Sequence, residues 1–119
     1  MGKHNDLGEN GEALAKDFLE NKGYAVLERN WRYSHKEVDL IARKGNTLVF
    51  IEVKTRTGDD VQHPEVAVNK AKQRHLVRAA EEYMSKRKQD MEVRFDVIAI
   101  VFGNGLPKIN HFEDAFFPV

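Results

Sequence analysis

Apolar residues recur at helical spacing in two stretches of the chain. The first predicts a helix from Leu7 to Lys22, which stops before Gly23, a common helix terminator. The second predicts a helix over about Glu65 to Arg87, after a polar loop that ends in Pro64. Each helix is expected to turn one face to a core. The stripe on the first helix consists of Leu7, Gly11, Leu14, Ala15, Phe18 and Leu19.

Apolar runs of strand length predict five β-strands. A first strand is expected over Tyr24–Trp31, followed by a hairpin of strands near Glu37–Arg43 and Thr47–Lys54. The run EVRFDVIAIVF predicts a fourth strand, and FGNGLPKINHF turns through two glycines into a short fifth strand. The hairpin strands are apolar on both faces and need cover on both. The order α-β-β-β-α-β-β therefore predicts an α/β fold, a mixed central sheet with helices on both faces.

A Lys-Gly-Asn-Thr turn joins the two hairpin arms and sets their register. If Gly45 and Asn46 form a tight two-residue loop, Leu40 faces Ile51 and the neighbouring pairs are also apolar against apolar. A four-residue loop gives the same pairing. A three-residue loop would shift the pairing by one residue and move the acids of the two arms to opposite faces. The apolar match favours the first register.

In that register, charged side chains of the two arms meet. Asp39 lies directly opposite Glu52, Glu37 lies opposite Lys54, and Asp39, Glu52 and Lys54 share one face. Two carboxylates across a ladder have Cβ atoms about 4.5–5.5 Å apart and repel each other. Either Lys54 or a divalent cation would offset the repulsion, and hard oxygen ligands suit Mg²⁺ or Mn²⁺. A cross-strand salt-bridge cluster is the alternative explanation.

A third acid, from the first helix, extends the candidate site. Glu12 lines up with Ala15 and Leu19 at the edge of the buried stripe, so its side chain is predicted to point towards the sheet. Lys54, two residues beyond an acid, reaches the same place. Beside a metal ion it could orient or help deprotonate a water and offset phosphate charge. The pattern therefore predicts a carboxylate metal site with a lysine next to it.

The second predicted helix is basic and carries no acid between residues 66 and 80. A solvated face explains most of its cations, but Lys72 lies in line with Val68 and Ala79 and so leans towards the sheet. Gln73 beside it is a candidate contact to a backbone phosphate. The candidate nucleic-acid-binding residues are Lys72, Gln73, Lys70, Arg74 and Arg56.

Composition limits the class of function. The chain has 119 residues, 19 basic and 19 acidic residues, and no cysteine. Disulfides and thiolate metal sites are excluded, and the five histidines lack the spacing of a zinc site. Zero net charge gives no overall positive field to attract nucleic acid. We expect one domain over residues 1–119, and a cytoplasmic protein, since no apolar run reaches the roughly 20 residues of a membrane span and no signal-peptide core is present.

The candidate site resembles that of the PD-(D/E)XK nuclease superfamily, which has the restriction-endonuclease-like fold. Asp39, then Glu52-Val53-Lys54, with an upstream helix acid, carry that resemblance. More closely, LGENGEALAKDFLENKGYAVLERNWR, EVDLIARKGNTLVFIEVKTR, VNKAKQRHL and RFDVIAI look like the YraN-like family of small bacterial proteins, related to archaeal Holliday-junction resolvases. The resemblance implies Glu12, Asp39 and Glu52 as metal ligands and Lys54 as the catalytic lysine.

The expected function is a Mg²⁺- or Mn²⁺-dependent DNA endonuclease that hydrolyses phosphodiester bonds, of branched or otherwise structured DNA in repair or recombination. Two alternatives stay open. The zero net charge favours a catalytically silent nucleic-acid-binding or scaffold module of a repair or recombination complex. A metal-dependent hydrolase of small phosphate compounds is the other.

Two features outside the candidate site carry further expectations. Asp96 lies between apolar residues of the fourth strand, where a structural ion pair, with Arg94 or with a helix lysine, is expected rather than catalysis. The apolar tail FEDAFFPV contains Phe112, Phe116 and Phe117. Together with exposed strand edges, this tail predicts a homodimer or a protein partner.

Overall fold

A five-stranded mixed sheet lies between two helices in the part of the chain that the structure describes. The computed structural model describes residues 3–58, 68–87 and 90–116, with side chains of the first helix from residue 10 onwards. This order of elements is the predicted one and is that of a restriction-endonuclease-like core. In chain order the elements are α1 (Lys3–Asn21), β1 (Ala25–Tyr33), β2 (Lys36–Lys44), β3 (Thr47–Thr57), α2 (Lys70–Arg87), β4 (Glu92–Phe102) and β5 (Lys108–Phe112).

The strands lie in the order β1-β2-β3-β4-β5, which puts β3 at the centre of the sheet. β3 and β4 are parallel, and the other neighbouring pairs are antiparallel. A parallel pair needs a crossover connection, and α2 lies in the segment that joins β3 to β4. One apolar cluster packs between the sheet and α1, through residues such as Leu19 and Ile51. A second packs between the sheet and α2, through residues such as Phe50 and Leu76. Both faces are therefore covered, as predicted.

Helix α1 begins four residues before the predicted start and ends at Asn21, one residue before the predicted end. Gly23 has a φ of 92°, a left-handed conformation that suits glycine. Its N–H donates to the carbonyl of Glu20 at 3.1 Å, and the N–H of Tyr24 donates to that of Leu19 at 3.0 Å. These bonds occupy carbonyls that the end of the helix leaves free. On the predicted stripe Gly11, Ala15 and Leu19 are buried and Leu14 and Phe18 half-buried, while the side chain of Leu7 lies outside the described residues.

Helix α1 approaches β3 closely at Gly11, since a methyl group there would overlap Cγ2 of Thr55. Gly11→Ala is therefore expected to lower the free energy of unfolding by about 1–3 kcal/mol, although alanine is the better helix former by about 1 kcal/mol. In a Thr55→Ser background, which lacks Cγ2, the same change should be neutral or slightly stabilising. Urea denaturation of the four proteins of this cycle measures the coupling. An equal effect of Gly11→Ala in both backgrounds would contradict the close approach.

Helix α2 starts later than the sequence pattern suggested. Residues 59–67, which include the predicted first turn from Glu65, lie outside the described residues, and Val68 and Asn69 precede the helix. Asn69 Oδ1 accepts the N–H of Lys72 at 2.9 Å, which makes Asn69 the capping residue. Gln73 Nε2 donates to the carbonyl of Val68 at 3.0 Å. The prediction that Val68 and Asn69 lie within the helix was therefore wrong, because the side chain of Asn69 caps the helix instead of continuing it.

The hairpin register is confirmed over most of its length. The β2–β3 ladder runs from Lys44–Thr47 to Leu40–Ile51, and Gly45 in the turn has a φ of 60°. The ladder ends there, one pair before the expected Asp39–Glu52 pair. β2 stays paired with β1 beyond that point. The two strands therefore separate after the Leu40–Ile51 pair, and we call this opening between β2 and β3 the fork.

The phenylalanine tail packs inwards in its described part. Phe116 is buried, and its ring stacks on that of Phe95 with centroids 5.1 Å apart. Phe112, at the end of β5, is half-buried. Phe117 lies outside the described residues. Phe116 is thus part of the α2-side core rather than of an exposed apolar surface. Neither described helix is long and apolar enough to cross a membrane.

A fully buried carboxylate joins β4 to the last strand. Asp96 accepts bonds from Nε and Nη2 of Arg94 at 2.9 Å each, from Nε2 of His111 at 2.7 Å and from the N–H of Asp114 at 3.0 Å. Burial by itself would raise the pKa of Asp96, but the hydrogen bonds from His111, Arg94 and Asp114 hold that pKa below its ordinary value. The predicted ion pair with Arg94 is present.

Candidate metal site at the fork

Asp39 lies at the fork, where its side chain replaces a main-chain partner. Oδ2 of Asp39 accepts the N–H of Val53 at 2.8 Å, just beyond the last β2–β3 pair. The carboxylate therefore lies between the two strands rather than on one face of a continuous ladder. Such a position can be reached from α1 on one side of the sheet and from α2 on the other. The expected ladder pair of Asp39 with Glu52 was wrong for this reason, although the two carboxyl groups do meet.

Glu52 brings a second carboxylate to the same place from β3. Its side chain is 6% exposed, and its carboxyl group is within hydrogen-bonding reach of that of Asp39. Within the described part of the chain, Oε1 of Glu52 is a buried side-chain oxygen with no hydrogen-bond partner. A buried carboxylate oxygen without a donor is costly. A cation bound beside this oxygen would offset that cost.

Glu12 and Glu37 complete a group of carboxylates around Asp39. One oxygen from each of Glu12, Glu37 and Asp39 lies within 4.8 Å of the others. Glu12 comes from α1, as the sequence predicted, and its side chain is 15% exposed. The predicted register placed Glu37 opposite Lys54 as its ion-pair partner. In the structure Glu37 contacts Arg32 instead, with Oε2 3.3 Å from Nη2. The two-residue spacing from Asp39 was the signal that could have placed Glu37 in the cluster. We call Glu12, Glu37, Asp39 and Glu52 the acid cluster.

The proximity of these acids changes the titration of Asp39. Burial, then the charge of Glu52 and that of Glu12, raise the pKa of Asp39 to about 8. The hydrogen bond from the N–H of Val53 acts in the opposite direction. Near neutral pH, the folded chain therefore tends to keep a proton on the acid cluster. A bound cation would remove the need for that proton.

Two lysines contact Glu52 from different elements. Nζ of Lys54, on β3, lies 3.5 Å from Oε2, and Nζ of Lys72, on α2, lies 3.6 Å from Oε1. The predicted lean of Lys72 towards the sheet is therefore present. Both side chains are about one-third exposed, at 34% and 36%. The Glu52 carboxylate lies between two ammonium groups, each at ion-pair distance from one oxygen.

A positively charged surface adjoins the acid cluster. Local desolvation, then the charges of Lys36, Lys72, Arg74 and Arg78, lower the pKa of His75. The charges of these four cations therefore act on His75, and we call Lys36, Lys72, Arg74 and Arg78 the basic surface. Lys36 comes from the start of β2, and the sequence did not indicate it.

The other predicted phosphate contacts lie around this surface. Lys70 and Arg74 are exposed on α2. Arg56 is half-buried on β3. Since it follows Lys54 by two residues, it belongs to the same face. Gln73 is half-buried, and its side-chain nitrogen is bonded to the carbonyl of Val68. That bond directs the amide towards the start of α2 rather than towards solvent.

The donor set of the acid cluster fits a hard divalent cation. All four residues offer carboxylate oxygens, which are the ligands that Mg²⁺ and Mn²⁺ prefer. Three of them converge on a common space, and the fourth carries the buried oxygen that lacks a hydrogen bond. The acid cluster would hold the cation, and Lys54 would lie next to it.

The comparisons with known proteins concern nearly the whole chain. The model of the uncharacterised protein family UPF0102 matches residues 11–100. The chain is similar to a UPF0102 protein of Flavobacterium psychrophilum, with 48% identity over 98% of each chain. It is also similar to UPF0102 proteins of Christiangramia forsetii, with 45% identity over 98% of each chain, and of Geobacter metallireducens, with 46% identity over 98% of this chain and 97% of the other. The matched range contains the acid cluster, Lys54 and Lys72.

Proposed function

We propose that this chain, which belongs to the uncharacterised protein family UPF0102, is a Mg²⁺- or Mn²⁺-dependent DNA endonuclease. The observation that carries the proposal is the Oε1 atom of Glu52, which is buried beside the carboxyl group of Asp39 and has no hydrogen-bond partner among the residues that the structure describes. Folded proteins rarely leave such an atom unpaired. A divalent cation would satisfy it and offset the repulsion in the acid cluster.

Each residue of the site has a distinct role in this proposal. Glu12, Asp39 and Glu52 hold the cation, and Glu37 adds negative charge next to them. The bound cation supplies Lewis-acid chemistry, which polarises the scissile phosphate and lowers the pKa of a water. Lys54, whose ammonium group is 3.5 Å from Glu52, orients the attacking water and stabilises the negative charge that develops on the phosphate.

The basic surface positions the substrate. Its cations border the acid cluster, and Lys72 belongs to both regions, since it contacts Glu52 and contributes to the field at His75. Contacts of this kind bind the DNA backbone without reading its sequence. The resemblance to the resolvases supports branched or otherwise structured DNA as the substrate class.

A cleavage assay tests the proposal. Linear, flapped and four-way-junction DNA would be incubated with the protein in Mn²⁺ or in EDTA. We expect cleavage in Mn²⁺, none in EDTA, and at least about a 100-fold lower rate for Glu52→Gln, because a ligand is lost while the side-chain shape is kept. Glu81→Gln, an exposed change on α2, is the matched control and should keep the wild-type rate. Mn²⁺-dependent cleavage that Glu52→Gln leaves intact would refute this assignment of the site.

A catalytically silent nucleic-acid-binding module is the second candidate. It is favoured by the two lysines on Glu52, which neutralise part of the site without a metal. Isothermal titration with Mn²⁺ separates the two functions. Salt-sensitive DNA binding by a protein that takes up no Mn²⁺ would favour the module.

A further inference from the structure

The ammonium group of Lys72 lies beside the carboxylate of Glu52. The ammonium group is 3.6 Å from Oε1, the oxygen for which the described part of the chain offers no hydrogen bond. This distance is that of an ion pair rather than of a hydrogen bond, so the contact is electrostatic and has little directional character. The other oxygen of Glu52 is contacted by Lys54 in the same loose way. Lys72 thus compensates the charge of Glu52 without satisfying its oxygen.

The surroundings of Lys72 favour its release when another cation takes its place. The nearby charges of Lys36, Arg74 and Arg78 are of the same sign, as their combined effect on His75 indicates. The side chain of Lys72 is 36% exposed, so it has a path to solvent. Its main chain is fixed by the cap from Asn69. A change of position would therefore involve the flexible side chain alone, with α2 unmoved.

We infer that Lys72 exchanges with the divalent cation. When no cation is bound, the ammonium group of Lys72 contacts Glu52. When the cation binds, the side chain of Lys72 moves to the basic surface and binds a DNA phosphate there. The inference rests on the proposed function, because it requires that the acid cluster binds a cation. It assigns Lys72 a role in regulation, since one side chain links the metal site to the DNA-binding surface.

Two linked effects follow from the exchange. The cation must displace Lys72, so the lysine weakens metal binding in the absence of DNA. The released ammonium group then adds one phosphate contact, so the metal strengthens DNA binding. By thermodynamic reciprocity, DNA strengthens metal binding by the same factor. Factors of about 5 to 150 are typical of such couplings.

The variant Lys72→Met tests the exchange, because it keeps most of the side-chain length and removes the charge. Mn²⁺ affinity would be measured by isothermal titration without DNA. We expect Lys72→Met to bind Mn²⁺ about three- to tenfold more tightly than the wild type, since a competing charge of modest strength is gone. A loss of Mn²⁺ affinity, or no change in it, would overturn the inference.

DNA affinity provides the second readout. Fluorescence anisotropy with a phosphorothioate duplex, which resists cleavage, gives the dissociation constant in EDTA and in Mn²⁺. In the wild type the constant in EDTA should exceed the constant in Mn²⁺. The ratio of the first to the second should be at least about threefold smaller in Lys72→Met. Arg74→Met is the matched control, an exposed cation of the same surface. It should weaken DNA binding equally in both conditions and leave Mn²⁺ affinity unchanged. An equal effect of both variants on the ratio would show general electrostatics and overturn the exchange.

The outcomes also separate this inference from the proposed function. A wild-type protein that binds Mn²⁺ with an affinity independent of Lys72 overturns the exchange and leaves the endonuclease proposal standing. A wild-type protein that binds no Mn²⁺ at all overturns both. Thermal unfolding of both variants within a few degrees of the wild type would confirm that they fold, as expected for changes at the surface.

Discussion

In EDTA at pH 8, the Asp39→Asn variant is expected to unfold at a higher temperature than the wild-type protein. Asparagine keeps an oxygen that can accept the N–H of Val53, and its amide group can donate to Glu52. The repulsion between Asp39 and Glu52 is removed. We expect a gain of about 2 kcal/mol in the free energy of unfolding, and each kcal/mol corresponds to about 4–8 °C in Tm for a small domain.

The pH dependence of this gain follows from the raised pKa of Asp39. The folded protein holds the proton up to a pH of about 8, whereas the unfolded chain releases it near the ordinary value of 3.8. Because the folded state binds more protons in this interval, the stability of the wild type falls as pH rises through it. Asp39→Asn lacks this loss, so its advantage should grow from pH 4 to pH 8 and then level off.

Added Mn²⁺ should reverse the order of the two proteins. At 100 times its dissociation constant, a ligand that binds the folded state stabilises it by about 2.7 kcal/mol. The wild type should gain this stabilisation and Asp39→Asn should not. Differential scanning fluorimetry in EDTA and in Mn²⁺ measures both effects. Asp17→Asn, at an exposed position of α1, controls for the substitution itself. An Asp39→Asn protein less stable than the wild type at pH 8 in EDTA would contradict the account of the acid cluster.

Asp96→Asn is expected to have the largest effect on stability, a loss of about 3–5 kcal/mol. The carboxylate accepts four hydrogen bonds, three of them from Arg94 and His111. Asparagine carries one acceptor oxygen. Its NH₂ group would face hydrogen-bond donors and cannot accept a hydrogen bond from them. The cationic side chain of Arg94 would then lose its main partner. Urea denaturation at pH 7 measures the loss.

The effect of Asp96→Asn should disappear at low pH. The pKa of Asp96 lies below its ordinary value, so this carboxylate stabilises the fold above the unfolded-state value of 3.8, and the stabilisation is lost as pH falls through the depressed pKa. The matched control is Glu113→Gln, since Glu113 contacts Arg94 at 3.6 Å but is 51% exposed. An exposed pair contributes at most about 1 kcal/mol. An equal loss of unfolding free energy in Asp96→Asn and Glu113→Gln would contradict the prediction that the buried carboxylate of Asp96 stabilises the fold more than the exposed one of Glu113.

The sequence was sufficient for the fold because the patterns that set it are local. The hairpin register follows from the short turn at Gly45 and Asn46, and it pairs apolar residues of β2 and β3 as far as Leu40–Ile51. The stop of α1 at Gly23 follows from the freedom of glycine at positive φ. The lean of Lys72 towards the sheet follows from helical spacing.

The predictions that were wrong concern positions where a side chain replaces a main-chain group as a hydrogen-bond partner, or that depend on such a position. Asp39 accepts the N–H of Val53, which ends the ladder that simple alternation would continue. Asn69 caps α2, so the helix starts later than its apolar pattern suggested. Glu37 was assigned to Lys54 by extending the same ladder, and with the strands apart it contacts Arg32 and joins the acid cluster. The alternation of strands and the periodicity of helices describe regular backbone. They do not show where a side chain replaces a main-chain hydrogen-bond partner.

The bond from Val53 to Asp39 has a consequence for how relatives of this protein should be compared. Asp39 has a structural role as an acceptor at the fork, which an aspartate and an asparagine can both fill. An acceptor retained at this position is therefore weak evidence of a metal site, whereas an aspartate retained there, against the charges of Glu52 and Glu12, is stronger evidence. Glu52 is different, because its buried Oε1 atom takes part in no hydrogen bond among the described residues. Whether a relative keeps a glutamate at this place is therefore the more informative comparison for the proposed metal site.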